Sequence, residues 1–137
     1  IKENIAFGIP KNNIDNDRVI NCAKQARIHE FIKSMNTGYD TSVGERGVRL
    51  SGGQIQRIGI ARALYKQSKI IIFDEATSAL DYATELEVIK SIRTINKTCT
   101  IIMIAHRMNN IRNCDKVIEI ESGEINRVIY GDDIKNL

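Results

Sequence analysis

The chain has 137 residues, 42% of them hydrophobic, and its 20 basic and 17 acidic side chains leave a formal charge of +3. That length supports one compact core, and a modest charge with both signs mixed throughout argues against a nucleic-acid or membrane-surface partner. No apolar run approaches the roughly 18 residues of a membrane span, and the N-terminus lacks the basic-then-apolar pattern of a signal peptide, so membrane association is expected to come through another polypeptide or segment. Cys22, Cys99 and Cys114 fit neither zinc nor thioredoxin spacing and read as free cytosolic thiols.

In chain order, Ile1 to Gly8 opens with a short helix and Pro10 marks the turn after it. Asp15 or Asp17 starts a helix expected to run to about Ser34, with Val19, Ile20, Ala23, Ala26 and Phe31 on one face. His29 falls in that helix with no nearby Cys or second His, so its role reads as structural rather than metal-binding. Asn36-Thr37-Gly38 breaks the helix, Thr41 to Gly47 reads as a loop, and a second helix is predicted from Gly52 to Tyr65.

The apolar run Ile70 to Phe73 suits a strand buried on both faces of a parallel sheet. Asp81 is a good N-cap for a helix to about Asn96 with Leu86, Ile89, Ile92 and Ile95 along one face, and Thr98 to Ala105 returns as a buried strand. Such a unit is expected to be a right-handed βαβ crossover that brings Glu75 and His106 to one edge of the sheet. Val117–Ile120 and Ile125–Tyr130 flank Glu121-Ser122-Gly123-Glu124 as a hairpin, and the tail after Gly131 reads as a frayed helix. There is no internal repeat.

The chemistry concentrates in two places. In Leu50-Ser51-Gly52-Gly53-Gln54, two glycines behind a serine let backbone approach an anion closely, and the following helix aims its positive end there. Ser51 can cap that helix or donate its hydroxyl outward. In Lys69-Ile70-Ile71-Ile72-Phe73-Asp74-Glu75, two carboxylates stand at the carboxyl end of a strand, where Asp74 can hold a hard cation and Glu75 can polarise a water. Taken singly, each is more often a cap, a loop or a solvated strand end; their ordered combination carries the functional reading.

These segments resemble the nucleotide-binding domain of ATP-binding cassette (ABC) proteins. Leu50 to Gln54 resembles the signature, Ile70 to Glu75 the second nucleotide motif, Ser78-Ala79-Leu80-Asp81 the loop after it, and His106 the switch histidine. The resemblance implies an α/β fold: a partial P-loop NTPase core of parallel strands and helices, plus an α-helical subdomain carrying the signature. Residues 1–64 would form the helical subdomain and 65–137 the C-terminal half of the core. It also implies ATP and Mg²⁺ as cofactors. Ser51, Gly52, Gly53 and Gln54 would meet the γ-phosphate of ATP seated on a second such domain. Asp74 would hold Mg²⁺ through water, Glu75 would polarise the attacking water, His106 would touch the γ-phosphate, and Asp81 would bridge the two domains.

No G-x-x-x-x-G-K-[ST] loop occurs in the sequence, so the chain resembles only the later part of that domain and is expected to be inactive in isolation. Thr41-Ser42-Val43-Gly44-Glu45-Arg46-Gly47 is similar to a loop of ABC exporters that contacts the membrane domain, although Ser42 stands where that loop usually carries Glu. The resemblance thus implies a transmembrane exporter domain as partner, a place on the cytoplasmic face of the membrane, and no nucleic acid. Two other readings are a non-enzymatic module that lends its signature to a partner's ATP, and a soluble DNA-associated ABC ATPase. Without the first strands of the core, exposed apolar surface is expected.

Overall fold

The computed structural model describes residues 1–44, 47–74, 87, 89–90, 99–104, 111–112 and 114–135. They divide into two compact units, Ile1–Ile102 and Met103–Leu137. The fold is mixed α/β with parallel strands.

In the first unit, α1 (Lys2–Ile5), α2 (Asn16–Gln25), α3 (His29–Ser34) and α4 (Gly52–Tyr65) form the helical part. Of the two candidate aspartates, Asp15 starts α2: its side chain accepts a hydrogen bond from the Arg18 amide at 3.0 Å. Val19, Cys22 and Ala23 recur at helical spacing and are buried, and α2 packs on α1 and α4. Ile5, Ala23, Ala26, Ile28, Ile32 and Ala61 complete a solvent-free centre. Two arginines of the first unit hold this packing to backbone. Arg62 on α4 donates to the Asn4 carbonyl at 2.7 Å and to its side-chain oxygen at 3.1 Å, while Arg18 donates to the Tyr65 carbonyl and lies 4.6 Å above its ring.

The single helix expected from Asp15 to Ser34 is two helices. Arg27 adopts the left-handed conformation at φ 54°, and the amides of Arg27 and Ile28 donate to the carbonyls of Lys24 and Ala23 at 3.1 and 3.0 Å. This is a Schellman stop with arginine where glycine is usual. It turns the chain so that Ile28 and Ile32, rather than a continuation of the α2 stripe, point inward.

After α4, β1 (Ile70–Asp74) pairs with β2 (Thr100–Ile104), and the Thr100 amide donates to the Lys69 carbonyl at 2.8 Å where the strands begin. The expected burial on both faces does not hold within this chain. Ile71 and Phe73 are buried, but Ile70 and Ile72 are 58% and 62% exposed, and β2 alternates between half-buried and exposed. An apolar run shows that both faces tolerate burial, whereas in the described strand Ile71 and Phe73 are covered and Ile70 and Ile72 are not. Of the helix expected from Asp81 to Asn96, Glu87, Ile89 and Lys90 are helical. The rest, and with it the hand of the crossover, lies outside the described residues.

In the second unit, β3 (Lys116–Glu121) and β4 (Glu124–Tyr130) form the expected hairpin. Ser122 and Gly123 both have positive φ, 51° and 83°, as a type I′ turn requires. An irregularity between Glu119 and Ile120 brings both Arg127 and Asn126 onto the Glu119 carboxylate, which holds that carboxyl below its usual range. In the tail, α5 (Asp132–Lys135) forms with Ile134 fully buried, while residues 136–137 lie outside the described residues.

Two measurements check this description. Gln67, just past α4, sits at φ 52° with its amide on the Leu64 carbonyl at 3.0 Å. The left-handed cost of an ordinary residue, about 1–2 kcal/mol, exceeds glycine's entropic cost of about 0.5–1 kcal/mol. Gln67→Gly is therefore expected to raise stability by roughly 0.5–1 kcal/mol in thermal unfolding. The second concerns Tyr39, whose hydroxyl lies 2.8 Å from His29 Nδ1 and whose pKa is pushed up to about 12, first by burial and then by the Glu30 charge. Above the ordinary value of 10.0 the unfolded phenol ionises while the folded one keeps its proton, so this contribution is present at neutral pH and is lost as pH rises toward 12. The denaturation midpoint of Tyr39→Phe should fall less steeply over that interval than that of the unaltered protein.

Candidate functional site

The N-terminus of α4 is built by its own sequence. Ser51 has extended backbone, φ −69° and ψ 160°, and its hydroxyl oxygen accepts from the Gln54 amide at 3.3 Å. In return the Gln54 side-chain oxygen accepts from the Ser51 amide at 2.8 Å. This reciprocal capping box fixes the first turn. Because the Ser51 oxygen only accepts within the box, its hydroxyl proton remains available to a group outside it. The two functions foreseen for Ser51 are therefore compatible.

Within that turn the amides of Gly52 and Gly53 have no intrahelical acceptor, as at any helix start. Ser51 and Gly52 are exposed, Gly53 is buried and Gln54 is half-buried. The first turns of α1, α2, α3 and α5 each contain an acidic residue, whereas α4 has none. No carboxylate within that first turn offsets the positive field of the 14-residue helix, at an end made of small residues where Ser51 and Gly52 are exposed. That end can receive an anion.

The loop before it is folded back rather than extended. Gly44 and Gly47 have φ +76° and +72°, and a Cβ on Gly44 would lie 3.0 Å from Val48 Cγ1. The Arg49 amide and guanidinium return to the carbonyls of Val43 and Ser42, both at 3.4 Å, and the Leu50 amide donates to the Gly47 carbonyl at 2.9 Å. Val43, Leu50, Ile55, Ile58, Asn4 and Arg62 line a cleft of about 260 Å³ beside this loop.

Sequence reasoning passed over Arg57. Its Nε donates to the Gly53 carbonyl at 3.2 Å and its Nη1 to the Arg27 carbonyl at 3.1 Å. A basic residue on a helix surface reads as solvated, and a partner 30 residues away leaves no local signal. Arg62, tied to Asn4, was missed for the same reason.

The structure brings Ser51, Gly52, Gly53 and Gln54 together in one turn. Asp74 is the last residue of β1, at the strand end where a functional carboxylate was expected. Glu75, Asp81 and His106 lie outside the described residues. His29 has the structural surroundings expected of it, with Tyr39 on one nitrogen and Glu30 3.8 Å from the other. Among the described residues no group of three or more His, Cys, Asp or Glu could hold a metal ion, and no helix is long and apolar enough to cross a membrane.

A family model described as ABC transporter matches residues 1–78. The leukotoxin translocation ATP-binding protein LktB of Mannheimia glucosida is 50% identical over 125 residues, spanning 91% of this chain and 17% of that protein. LktB of Bibersteinia trehalosi matches with the same 50% identity and coverage. A solved structure of a bacterial Atm1-family ABC exporter with ATP bound superimposes with a TM-score of 0.88 at 39% identity, covering 98% of this chain and 23% of that one. The chain therefore spans less than a fifth of the length of these curated relatives. With the signature-like turn on a capped helix and a carboxylate at the end of its strand, the chain belongs to the ABC transporter family.

Proposed function

We propose that this chain is the later part of an ABC exporter's nucleotide-binding domain, in a protein that couples ATP binding and hydrolysis to export across a membrane. The observation that carries this reading is the exposed, capped start of α4, with free first-turn amides, an available hydroxyl proton and no nearby acid in the turn. The relatives add the direction of transport: two are named translocation ATP-binding proteins, and a third is an exporter with ATP bound.

In this reading residues 1–64 present the signature and 65–137 supply part of the ATPase core. Ser51, Gly52 and Gly53 donate hydrogen bonds to the γ-phosphate of ATP seated on a second nucleotide-binding domain. Gln54 holds Ser51 in place. The residue types fit a phosphate: backbone amides and a hydroxyl proton to donate, small side chains, and the positive end of a helix. Asp74 would hold Mg²⁺, which supplies charge neutralisation at the phosphates when bound. Glu75 orients and polarises the attacking water, His106 contacts the γ-phosphate, and Asp81 meets the partner domain. A transmembrane domain docks through the 41–47 loop and places the assembly at the cytoplasmic face of the membrane. Differential binding is the physical core of the mechanism, because the signature donors engage only when two domains close on ATP.

In the full-length protein, Glu75→Gln should lower kcat for Mg²⁺-dependent ATP hydrolysis by about 100-fold or more, the scale of a lost general base. The 137-residue chain alone, without a phosphate loop in its sequence, should turn over no ATP. Activity of the isolated chain would overturn this assignment. A second substitution separates cap from phosphate contact. Ser51→Asp keeps an N-cap of equal quality, so stability should stay within about 0.5 kcal/mol. Its charge faces the phosphate, so kcat should fall at least about tenfold. Full activity of that variant would exclude Ser51 from the phosphate site.

A further inference from the structure

We infer that Arg57 and Arg27 are positioning residues that tie the signature turn to the segment following the β1 carboxylate. The inference rests on the reading that Ser51–Gln54 meets phosphate, and deepens it by naming what holds that turn.

Arg57 lies one helical turn after Gly53 and folds back along α4. Its guanidinium donates to the Gly53 carbonyl at 3.2 Å and to the Arg27 carbonyl at 3.1 Å. A rigid planar fork fixes the two acceptors relative to one another in a way a lysine ammonium does not. The first turn of α4 is therefore clamped to the corner between α2 and α3. That corner is itself firmly set: Arg27 is held by the two Schellman hydrogen bonds and lies between Ala26 and Ile28, both fully buried.

The Arg27 side chain leaves the corner toward a different element. Its Nε is 3.3 Å from the Glu87 carboxylate, on a helical residue between β1 and β2 in the sequence. Glycine would hold the left-handed turn with less strain. Arginine there keeps a side chain that reaches Glu87. One residue thus links two parts of the proposed machinery, its carbonyl serving the signature turn and its guanidinium the segment that follows Asp74. The two links differ in strength. Arg57 makes two charge-assisted bonds, the one to Gly53 partly buried and the one to Arg27 exposed, whereas the Arg27–Glu87 pair is about half exposed at both ends and only modulates.

The test is hydrogen exchange at residues 51–54 in the full-length protein, measured beside ATP hydrolysis across ATP concentrations. Arg57→Met should raise exchange there about tenfold, with Arg57→Lys restoring only part of the protection. In the same variant kcat should fall while KM for ATP stays constant, since the donors lost from register act on closed domains. Arg27→Glu and Glu87→Arg should each raise exchange about twofold to fivefold, and the double charge swap should return it to the unaltered value. A merely structural role would lower melting temperature without rescue by the swap. Unchanged exchange at 51–54 in Arg57→Met, or a double swap no better than its parents, would overturn the coupling; should Arg57→Met fail to fold, the swap decides. If the unaltered protein hydrolyses no ATP, the functional reading falls separately, because the exchange result does not depend on turnover.

Discussion

The reciprocal pair of hydrogen bonds between Ser51 and Gln54 is the constraint on which the site depends. It contributes about 1 kcal/mol to helix stability, yet its consequence is geometric rather than energetic. By fixing where α4 begins, it fixes which amides lack an intrahelical acceptor, and those belong to two glycines with no side chain to obstruct an approaching anion. Nothing acidic in the turn competes for that position. The helix is then held from behind, by Arg62 on Asn4 and by Arg57 on the α2–α3 corner, so the donors are set before any ligand arrives.

Parts of this arrangement were legible in the sequence because local chemistry decides them. Ser-Gly-Gly-Gln states a capped helix start, and α4 runs from Gly52 to Tyr65 as expected. Ser122-Gly123 states a two-residue hairpin, and the strands differ from expectation only at their ends. The break between α2 and α3 was hidden because the left-handed position holds Arg27 rather than glycine, and the apolar spacing of Ala23 and Ala26 runs up to the break unaltered. Burial on both faces of β1 is incomplete for another reason. Ile70 and Ile72 record what a strand can bury, while only Ile71 and Phe73 are covered within these residues. Arg57 and Arg27 gave no signal because their acceptors are a backbone carbonyl and a carboxylate remote in sequence.

The relatives are several times longer than this chain, and that proportion gives the exposed isoleucines a physical sense. Apolar side chains on a strand are stabilising only when something covers them. In α/β proteins generally, a parallel sheet covered on both faces is the ordinary state. The helical part is more self-sufficient, with a centre closed by Ile5, Ala23, Ile28 and Ile32 and edges tied by side chain to backbone contacts. The signature-like turn accordingly sits on the helices that close their own core.

Chemical access to position 51 tests most directly whether the exposed start of α4 meets the phosphate of ATP held by a second domain. In the full-length Glu75→Gln protein, with all its native cysteines replaced by alanine, Cys22, Cys99 and Cys114 among them, a Ser51→Cys thiol should react freely with a soluble maleimide without nucleotide, because Ser51 is exposed. ATP should slow that reaction at least about tenfold as the turn becomes enclosed between the two domains. Equal labelling rates with and without saturating ATP would contradict the account.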